Sequence, residues 1–302
     1  MRVAVTGGGG FIGSHVVDHL LAAGHEVLVA DVAPQWRNPA AEYRRADLFD
    51  RAALDGAFAG AQAVFHLAGA ADVNDVAADP VQAVRLNVEG SARVLEAARR
   101  CGVGRVLLAS TVWVYGAAAG QGELSEDVPV DLRRAGHVYV STKLAAELLV
   151  HSYAEMYGLQ STILRYGIPY GPRMRDALVV ASFVRCALDG RPIAIAGTGE
   201  QQRSYVYVED LADAHVRALA PAAAGRTLAL EGGTPVSVRE IADTVRSLVA
   251  PVPVEYVPAR AADYQGVSIS GALAKELLDW SPVTPFAEGV RRYLSWLGEG
   301  RR

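Results

Sequence analysis

The sequence is poor in lysine, cysteine and long apolar runs, and each shortage argues against a class of protein. Its 29 basic residues include only two lysines, and the net charge of -4 leaves no basic excess of the kind that binds nucleic acid. Cys101 and Cys186 stand apart without CxxC spacing, which argues against a disulfide framework or a zinc site. We therefore expect no metal site and no nucleic-acid partner.

No apolar run approaches the roughly 18 residues that a membrane span needs. Residues 1–5 lead directly into a strand pattern and a glycine cluster, without the segments of a signal peptide. These absences predict a cytoplasmic protein with no membrane partner. With 302 residues and 51% hydrophobic content, the chain can bury a large core and is long enough for two lobes.

The first 31 residues show the pattern of a nucleotide-binding βαβ unit. Residues 3–6 predict a strand, residues 7–13 a glycine turn, residues 14–23 a helix and residues 26–31 a second strand. The alternation continues downstream, with strands predicted at 43–46, 63–67 and 105–109 and helices at 52–57 and 80–101. Such alternation predicts an α/β fold with a doubly wound parallel sheet and ligands at the carboxyl ends of the strands.

The glycine turn and the acid after the second strand point to a dinucleotide. Glycines at 7, 10 and 13 let backbone amides and a helix N-terminus approach a pyrophosphate without a side-chain clash. Asp31 stands where a ribose hydroxyl would be held, and its charge would repel a 2'-phosphate, so NAD is favoured over NADP. The structural alternatives are a tight turn for the glycines and a capping role for the acid.

Tyr139 and Lys143 form a YxxxK motif whose two functional groups share one face of a helix. A phenol with a pKa near roughly 10 is not a base at neutral pH, but a fixed ammonium nearby favours the phenolate. The alternative is an accidental pair on a solvated helix. A lysine retained here in a chain so poor in lysine indicates that a compact point charge is needed.

Taken in order, the motifs resemble those of an extended short-chain dehydrogenase/reductase of the NAD-dependent sugar epimerase/dehydratase family. The matching segments are residues 6–13, Asp31, and residues 47–48, 66–69, 87–90, 110–116 and 139–143. The resemblance implies that Tyr139 is the general base, that Lys143 lowers its pKa and holds the nicotinamide ribose, and that Thr111 hydrogen-bonds the sugar hydroxyl.

The resemblance and the strand ends together give a set of candidate NAD contacts. They are Gly7, Gly10, Phe11, Ile12, Gly13, Asp31, Asp47, Leu48, Leu67, Ala68, Gly69, Asn87, Ser110, Tyr139, Lys143 and Tyr166. We expect residues 1–166 to form the NAD-binding Rossmann domain. Residues 167–302 would form a smaller nucleotide-sugar lobe interleaved with it, since a segment at about 204–232 is expected to return to the first domain.

Four arginines are candidate substrate contacts. Arg203 matches the family position that pairs with the diphosphate of a nucleotide sugar, although an ion pair with Glu200 is an alternative. Arg260 is the second diphosphate candidate. The segment that holds Arg173 and Arg175 resembles the glucuronate 4-epimerase branch, where an arginine would meet a uronate carboxylate; a contact with nucleotide or solvent is equally open.

The residues after Thr111 bear on the reaction. Dehydratases and decarboxylases of the family carry an acid there, whereas this chain has Val112 and Trp113. We therefore predict an NAD-dependent 4-epimerase of a nucleotide-diphosphate sugar, most simply UDP-glucose/UDP-galactose or else UDP-glucuronate, acting through a transient 4-keto sugar. The alternatives are a dehydratase or other 4-keto-forming enzyme, and a non-catalytic NAD-binding regulator. The resemblance also implies a homodimer, through helices around 87–100 and 139–157.

Overall fold

The computed structural model describes residues 1–33, 38–118, 122–259 and 268–299. Its strands are β1 (Arg2–Thr6), β2 (Glu26–Asp31), β3 (Glu42–Arg45), β4 (Ala63–His66), β5 (Arg105–Thr111), β6 (Glu123–Leu124), β7 (Gln160–Tyr166), β8 (Ile168–Tyr170), β9 (Ile193–Ala196), β10 (Gln202–Arg203), β11 (Tyr205–Tyr207), β12 (Thr227–Leu230), β13 (Val236–Ser237), β14 (Val254–Val257) and β15 (Ser268–Ile269). Its α-helices are α1 (Phe11–Ala22), α2 (Arg51–Phe58), α3 (Val73–Ala78), α4 (Pro80–Val84), α5 (Gly90–Arg100), α6 (Val138–Tyr157), α7 (Val179–Leu188), α8 (Val208–Arg217), α9 (Val238–Leu248), α10 (Ala272–Leu278) and α11 (Phe286–Glu299).

A seven-stranded parallel sheet, in the order β12-β7-β5-β4-β1-β2-β3, runs through the molecule. The order reverses between β1 and β4, as in a doubly wound sheet, so the predicted fold class is confirmed. Strands such as β1 are continuously apolar because helices cover both faces of the sheet. In register, Thr6 pairs with His66 and Thr111 pairs with Tyr166, which places these polar side chains at one edge.

Two apolar layers hold the helices on the sheet. One face buries Val16 and Leu20 of α1 against Leu211 of α8, and the other buries Leu54 of α2 with Val94 of α5. Each fully buried side chain of this size contributes about 1.5–3 kcal/mol relative to exposure. The helix α6 packs in the second layer, so its position relative to the sheet is fixed by the core.

A third cluster lies apart from the large sheet and joins α7, α9 and α11 to short strand pairs. The pairs are β8 with β11, β9 with β14, and β10 with β13. Strand β12 then joins the large sheet beside β7. The assignment of residues 1–166 and 167–302 to separate lobes remains a prediction.

Two elements differ from the sequence prediction. The expected single helix over residues 80–101 is interrupted by a π-turn, Arg85–Glu89, between α4 and α5. The glycine and proline cluster after residue 166 has a composition typical of a turn, but it contains strand β8. This strand forms because it pairs with β11, a partner distant in sequence.

In the described ranges, no helix is long and apolar enough to cross a membrane. Within the same ranges, we find no group of three or more histidine, cysteine, aspartate or glutamate side chains that could hold a metal ion.

Candidate active site

Tyr139 and Lys143 lie in the first two turns of α6, under the carboxyl ends of β5 and β7. The helix begins after His137, whose Nδ1 accepts a hydrogen bond from the Tyr139 amide at 3.0 Å. The Lys143 Nζ lies 6.0 Å from the centre of the Tyr139 ring and donates to the Ala109 carbonyl of β5 at 3.2 Å. The two groups therefore share one face, as the spacing predicts.

Two opposing influences act on the pKa of the Tyr139 phenol. Burial raises the pKa of its phenol to about 12, and a hydrogen bond with the Thr111 side chain opposes that rise. The loss of water around the phenol outweighs that hydrogen bond, and the lowering of this pKa by Lys143 stays a prediction. Thr111, at the end of β5, favours the phenolate through this hydrogen bond.

Lys143 is itself buried, and burial lowers the pKa of its ammonium to about 8, while the charge of Glu147 raises it. His66, under the same site, has its pKa lowered to about 3 by burial and by Lys143, so this imidazole is neutral. Its ring nitrogens contact the hydroxyls of Thr6 at 2.8 Å and Ser91 at 3.0 Å. Lys143 therefore carries a positive charge in the site at neutral pH.

Asn87 lies in the π-turn and joins the site to the end of β4. Its Oδ1 accepts from the Ala70 amide at 2.7 Å, and its Nδ2 donates to the Ala70 carbonyl at 2.9 Å and to Thr142 Oγ1 at 3.0 Å. A Cβ at Gly69 would lie 2.6 Å from that Oδ1, so only glycine fits beside the amide. π-turns often occur at functional sites, where they point a side chain inward.

The glycine turn leaves an open cradle at the start of α1. Gly7 has φ of +72°, and a Cβ at Gly13 would lie 2.1 Å from the Gly7 carbonyl oxygen. The amides of Phe11, Ile12 and Gly13 belong to the first helical turn, whose N–H groups have no acceptor within the helix. These donors and the helix dipole fit a pyrophosphate.

Asp31 closes β2 beside that cradle. Its Oδ2 accepts from the Gly9 amide and its Oδ1 from the Ala33 amide, each at 2.9 Å. Both bonds orient the carboxylate next to the glycine turn, where a ribose would follow the pyrophosphate. The residues present therefore fit NAD.

The other predicted cofactor contacts lie at the same edge of the sheet. Asp47 accepts from the Phe49 amide, and Leu48 packs in the apolar layer next to α5. The amide of Ala68, after Leu67, lies 3.4 Å from Thr6 Oγ1. Two predicted residues point to other partners: the Ser110 hydroxyl donates to Glu147, and the Tyr166 hydroxyl donates to His215 Nε2 at 2.5 Å.

The predicted substrate arginines that the structure describes differ in their surroundings. Arg173 forms an ion pair with Asp18 of α1 at 2.7 Å, and Arg175 forms one with Asp72 at 3.1 Å. Arg203 lies half-buried in β10.

The alternative partner of Arg203, Glu200, is paired with Arg239 at 2.9 Å. Arg260 lies outside the described residues.

The charged pair beneath the site, Glu147 of α6 and Arg165 of β7, is not predicted from the sequence. Glu147 is 3% exposed and Arg165 is 7% exposed, and Arg165 Nη2 lies 2.6 Å from Glu147 Oε2. A signal was available, because Glu147 follows Lys143 by four residues and so falls on the same helix face.

Comparison with known proteins gives a family match over most of the chain. The profile of the NAD dependent epimerase/dehydratase family matches residues 3–230. The chain belongs to this family. NAD is accordingly its cofactor, as the cradle and Asp31 indicate, and the protein is an enzyme of the epimerase/dehydratase type.

Similar proteins include members with different reactions. The chain is 35% identical over 308 residues to the UDP-glucose 4-epimerase of Mycolicibacterium smegmatis, with 97% of each protein covered. It is 30% identical over 310 residues to UDP-glucuronic acid decarboxylase 1 of Danio rerio, covering 98% of this chain and 72% of that protein. Membership of the family therefore identifies the general type of reaction and not the individual reaction.

Two solved structures show the same fold. The UDP-glucose 4-epimerase of Thermotoga maritima with UDP-glucose has a TM-score of 0.92 at 30% identity, with 100% of both chains covered. MoeE5 in complex with UDP-glucuronic acid and NAD has a TM-score of 0.91 at 31% identity, covering 99% of this chain and 100% of that chain.

Proposed function

We propose that the protein is an NAD-dependent nucleotide-sugar 4-epimerase, with UDP-glucose and UDP-galactose as the first candidate pair. One observation carries the proposal: Tyr139, Thr111 and Lys143 meet at one site, and the turn that follows Thr111 holds no carboxylate. Val112 is fully buried there, and the Trp113 ring stands edge-on to Tyr139 at 6.1 Å between centroids. Reversible oxidation at one carbon needs a base and no second acid.

The proposed steps assign one task to each side chain. Tyr139 takes the proton of the sugar 4-hydroxyl, and Thr111 holds that oxygen and the phenol together. NAD, when bound, supplies a hydride acceptor and donor and a positive charge beside the phenol. After the 4-keto sugar turns in the site, its carbonyl carbon would regain the hydride on the opposite face while Tyr139 returns the proton to the 4-oxygen, so the configuration at C4 is inverted.

The ion pairs of Arg173 and Arg175 favour a neutral hexose over a uronate. Each guanidinium already has a carboxylate partner, Asp18 or Asp72, so a substrate carboxylate would have to displace an acid of the chain. Arg175, whose side chain is 46% exposed, is the more accessible of the two. UDP-glucuronate is therefore the second candidate substrate. We assign the diphosphate to Arg203.

A dehydratase is the alternative function, and one observation favours it. Glu231 follows β12 and is buried beside Gly167, whose missing side chain would lie 3.5 Å from the Glu231 Cγ. Burial raises the pKa of this carboxyl to about 7, a value suited to a general acid. Elimination of water from the sugar would require such a group.

The test uses purified protein without added cofactor, given UDP-glucose, UDP-glucuronate or UDP-N-acetylglucosamine. Anomeric NMR signals and the product mass are followed together, with Tyr139→Phe as the inactive control. We expect UDP-glucose to reach an equilibrium with its 4-epimer at unchanged mass. Loss of water or of CO2 would contradict the proposed reaction, and conversion of the uronate alone would contradict the proposed substrate.

We also propose a homodimer through residues 87–100 and 139–157. Leu148, Met156 and Tyr157 of α6 are 59%, 69% and 50% exposed, a concentration of large apolar side chains on one helix. A mass of about one chain by light scattering would exclude the dimer.

A further inference from the structure

A buried ion pair lies directly behind Tyr139 and Lys143. Arg165 Nε and Nη2 donate to the two oxygens of Glu147 at 3.0 and 2.6 Å, a bidentate geometry that fixes both side chains. Both residues are buried, so neither charge is compensated by water. Such a pair is weak in itself as a source of stability, because two charges must be desolvated to form it. Its position therefore calls for another explanation.

The pair connects the three elements that carry the site. Glu147 accepts from the Ser110 hydroxyl, one residue before Thr111 on β5. Arg165 precedes Tyr166 on β7 and also donates to the Tyr115 hydroxyl. Glu147 itself lies one turn beyond Lys143 on α6. A shift of the carboxylate would thus move β5, β7 and α6 relative to one another.

Glu147 also affects the protonation of Lys143. The titratable groups placed beside Lys143 are Tyr139 and Glu147 on α6 and His66 on β4, while Arg165 of β7 pairs with Glu147 and the phenol of Tyr166 pairs with His215. His66 is neutral and the two phenols are protonated at neutral pH. Burial lowers the pKa of Lys143 to about 8, and the charge that raises it is that of Glu147.

We infer that Glu147 is a positioning residue that keeps Lys143 charged inside the buried site and fixes α6 against the two strands that carry Thr111 and Tyr166. This role rests on the proposed function, since it acts through the lysine that serves the base. Arg165 holds the carboxylate in place. Without that carboxylate, Lys143 loses its proton at a lower pH, and the site loses its positive charge within the physiological range.

The scarcity of lysine makes a direct test possible. Protein labelled with 13C and 15N only in lysine gives two side-chain signals, from Lys143 and from the exposed Lys275 on α10. Titrating the NAD-saturated protein and following the Lys143 signal measures its protonation without any substrate. The variants are Glu147→Gln, the double variant Glu147→Gln/Arg165→Met, and Glu155→Gln as a control at an exposed position of the same helix.

We expect the Lys143 midpoint to fall by about one pH unit or more in both Glu147 variants, the shift typical of losing a nearby opposite charge. The control and the Lys275 signal should not move. The double variant keeps the experiment decisive if the single one folds poorly, because it leaves no unpaired guanidinium in the core. A wild-type Lys143 midpoint in the folded double variant would show that Glu147 is only the counter-ion of Arg165, and would overturn the inference.

Turnover supplies a second measurement. For the substrate found by the panel above, the alkaline limb of kcat should move to lower pH by the same interval in both variants, with KM little changed. A uniform loss of kcat with an unmoved limb would indicate a merely structural role. If the panel finds no substrate, the proposed function fails while the lysine titration still decides the role of Glu147.

Discussion

The Tyr139 phenol is protonated at neutral pH, although the proposed reaction uses it as a base. Burial raises the pKa of its phenol to about 12. Ionising such a group at pH 7 costs about 7 kcal/mol, at about 1.4 kcal/mol per unit. The YxxxK spacing correctly places the lysine on the same face, but the spacing alone carries no information about burial. The balance between desolvation and the groups that oppose it is visible only in the folded protein.

Removing the Thr111 hydroxyl should raise the pKa of Tyr139 further, because its hydrogen bond favours the phenolate. We expect Thr111→Ala to lower kcat about a hundredfold at pH 7. The acid limb of the kcat profile should move to higher pH. Thr111→Ser keeps the hydroxyl and should recover most of the rate. An unmoved acid limb in Thr111→Ala would exclude a role for this hydroxyl in ionising the phenol.

Glu231 should make stability depend on pH. Burial raises the pKa of its carboxyl from 4.5 to about 7, a cost of about 3 kcal/mol once the group is ionised. The carboxyl has a higher pKa in the folded state than in the unfolded state. Its contribution to the free energy of unfolding is therefore fully present below about pH 4.5 and is lost as the pH rises through about 7.

Glu231→Gln should therefore match the wild type at pH 4.5 and exceed its free energy of unfolding by up to about 3 kcal/mol at pH 8. Urea unfolding at both pH values measures this, and the exposed Glu276→Gln serves as control. Equal free energies of the Gln variant and the wild type at pH 8 would mean that Glu231 ionises freely in the folded state. Turnover that survives in Glu231→Gln would also weaken the dehydratase alternative.

At the scale of elements, the glycine turn before α1 is the feature that the sequence predicts best. Only glycine tolerates the positive φ of residue 7 and the close approach at residue 13, so the spacing of the glycines predicts the backbone geometry of the turn. The substitution Gly13→Ala places a methyl group 2.1 Å from the Gly7 carbonyl oxygen and must distort the turn.

We expect Gly13→Ala to weaken NAD binding about ten- to a hundredfold, as overpacking of 1–3 kcal/mol would. Gly271→Ala is the matched control, because nothing lies within 4 Å of the added Cβ. Isothermal titration with NAD measures both. Wild-type affinity in Gly13→Ala would contradict the placement of the cofactor at this turn.

The π-turn that carries Asn87 could not be predicted in the same way. An apolar pattern with a period near 3.6 indicates a helix over residues 80–101, and one wider turn inside it leaves that pattern almost unchanged. Strand β8 was missed for a different reason. Its three residues lie in a glycine and proline cluster and become a strand only because β11 lies alongside.

At the scale of the whole molecule, the regular alternation of strands and helices was enough to predict the doubly wound sheet. The contacts between distant segments were not predictable. His15 of α1 contacts the Pro172 carbonyl at 2.9 Å, and the pairs Arg173–Asp18 and Arg175–Asp72 join the same segment to α1 and to the start of α3. A single sequence does not show which charges of opposite sign will meet, so arginines expected at the substrate were found paired with acids.

In the proposed reaction, Tyr139 and NAD oxidise and then reduce the same carbon of the sugar. The most direct measurement uses UDP-glucose deuterated at C4, incubated with the protein in ordinary water, with the product examined by NMR and mass spectrometry. We predict a 4-epimer that retains the deuterium at C4 at unchanged mass, because the hydride returns to the carbon from which it came. Deuterium lost to solvent, or moved to another carbon with the loss of water, would contradict the claim.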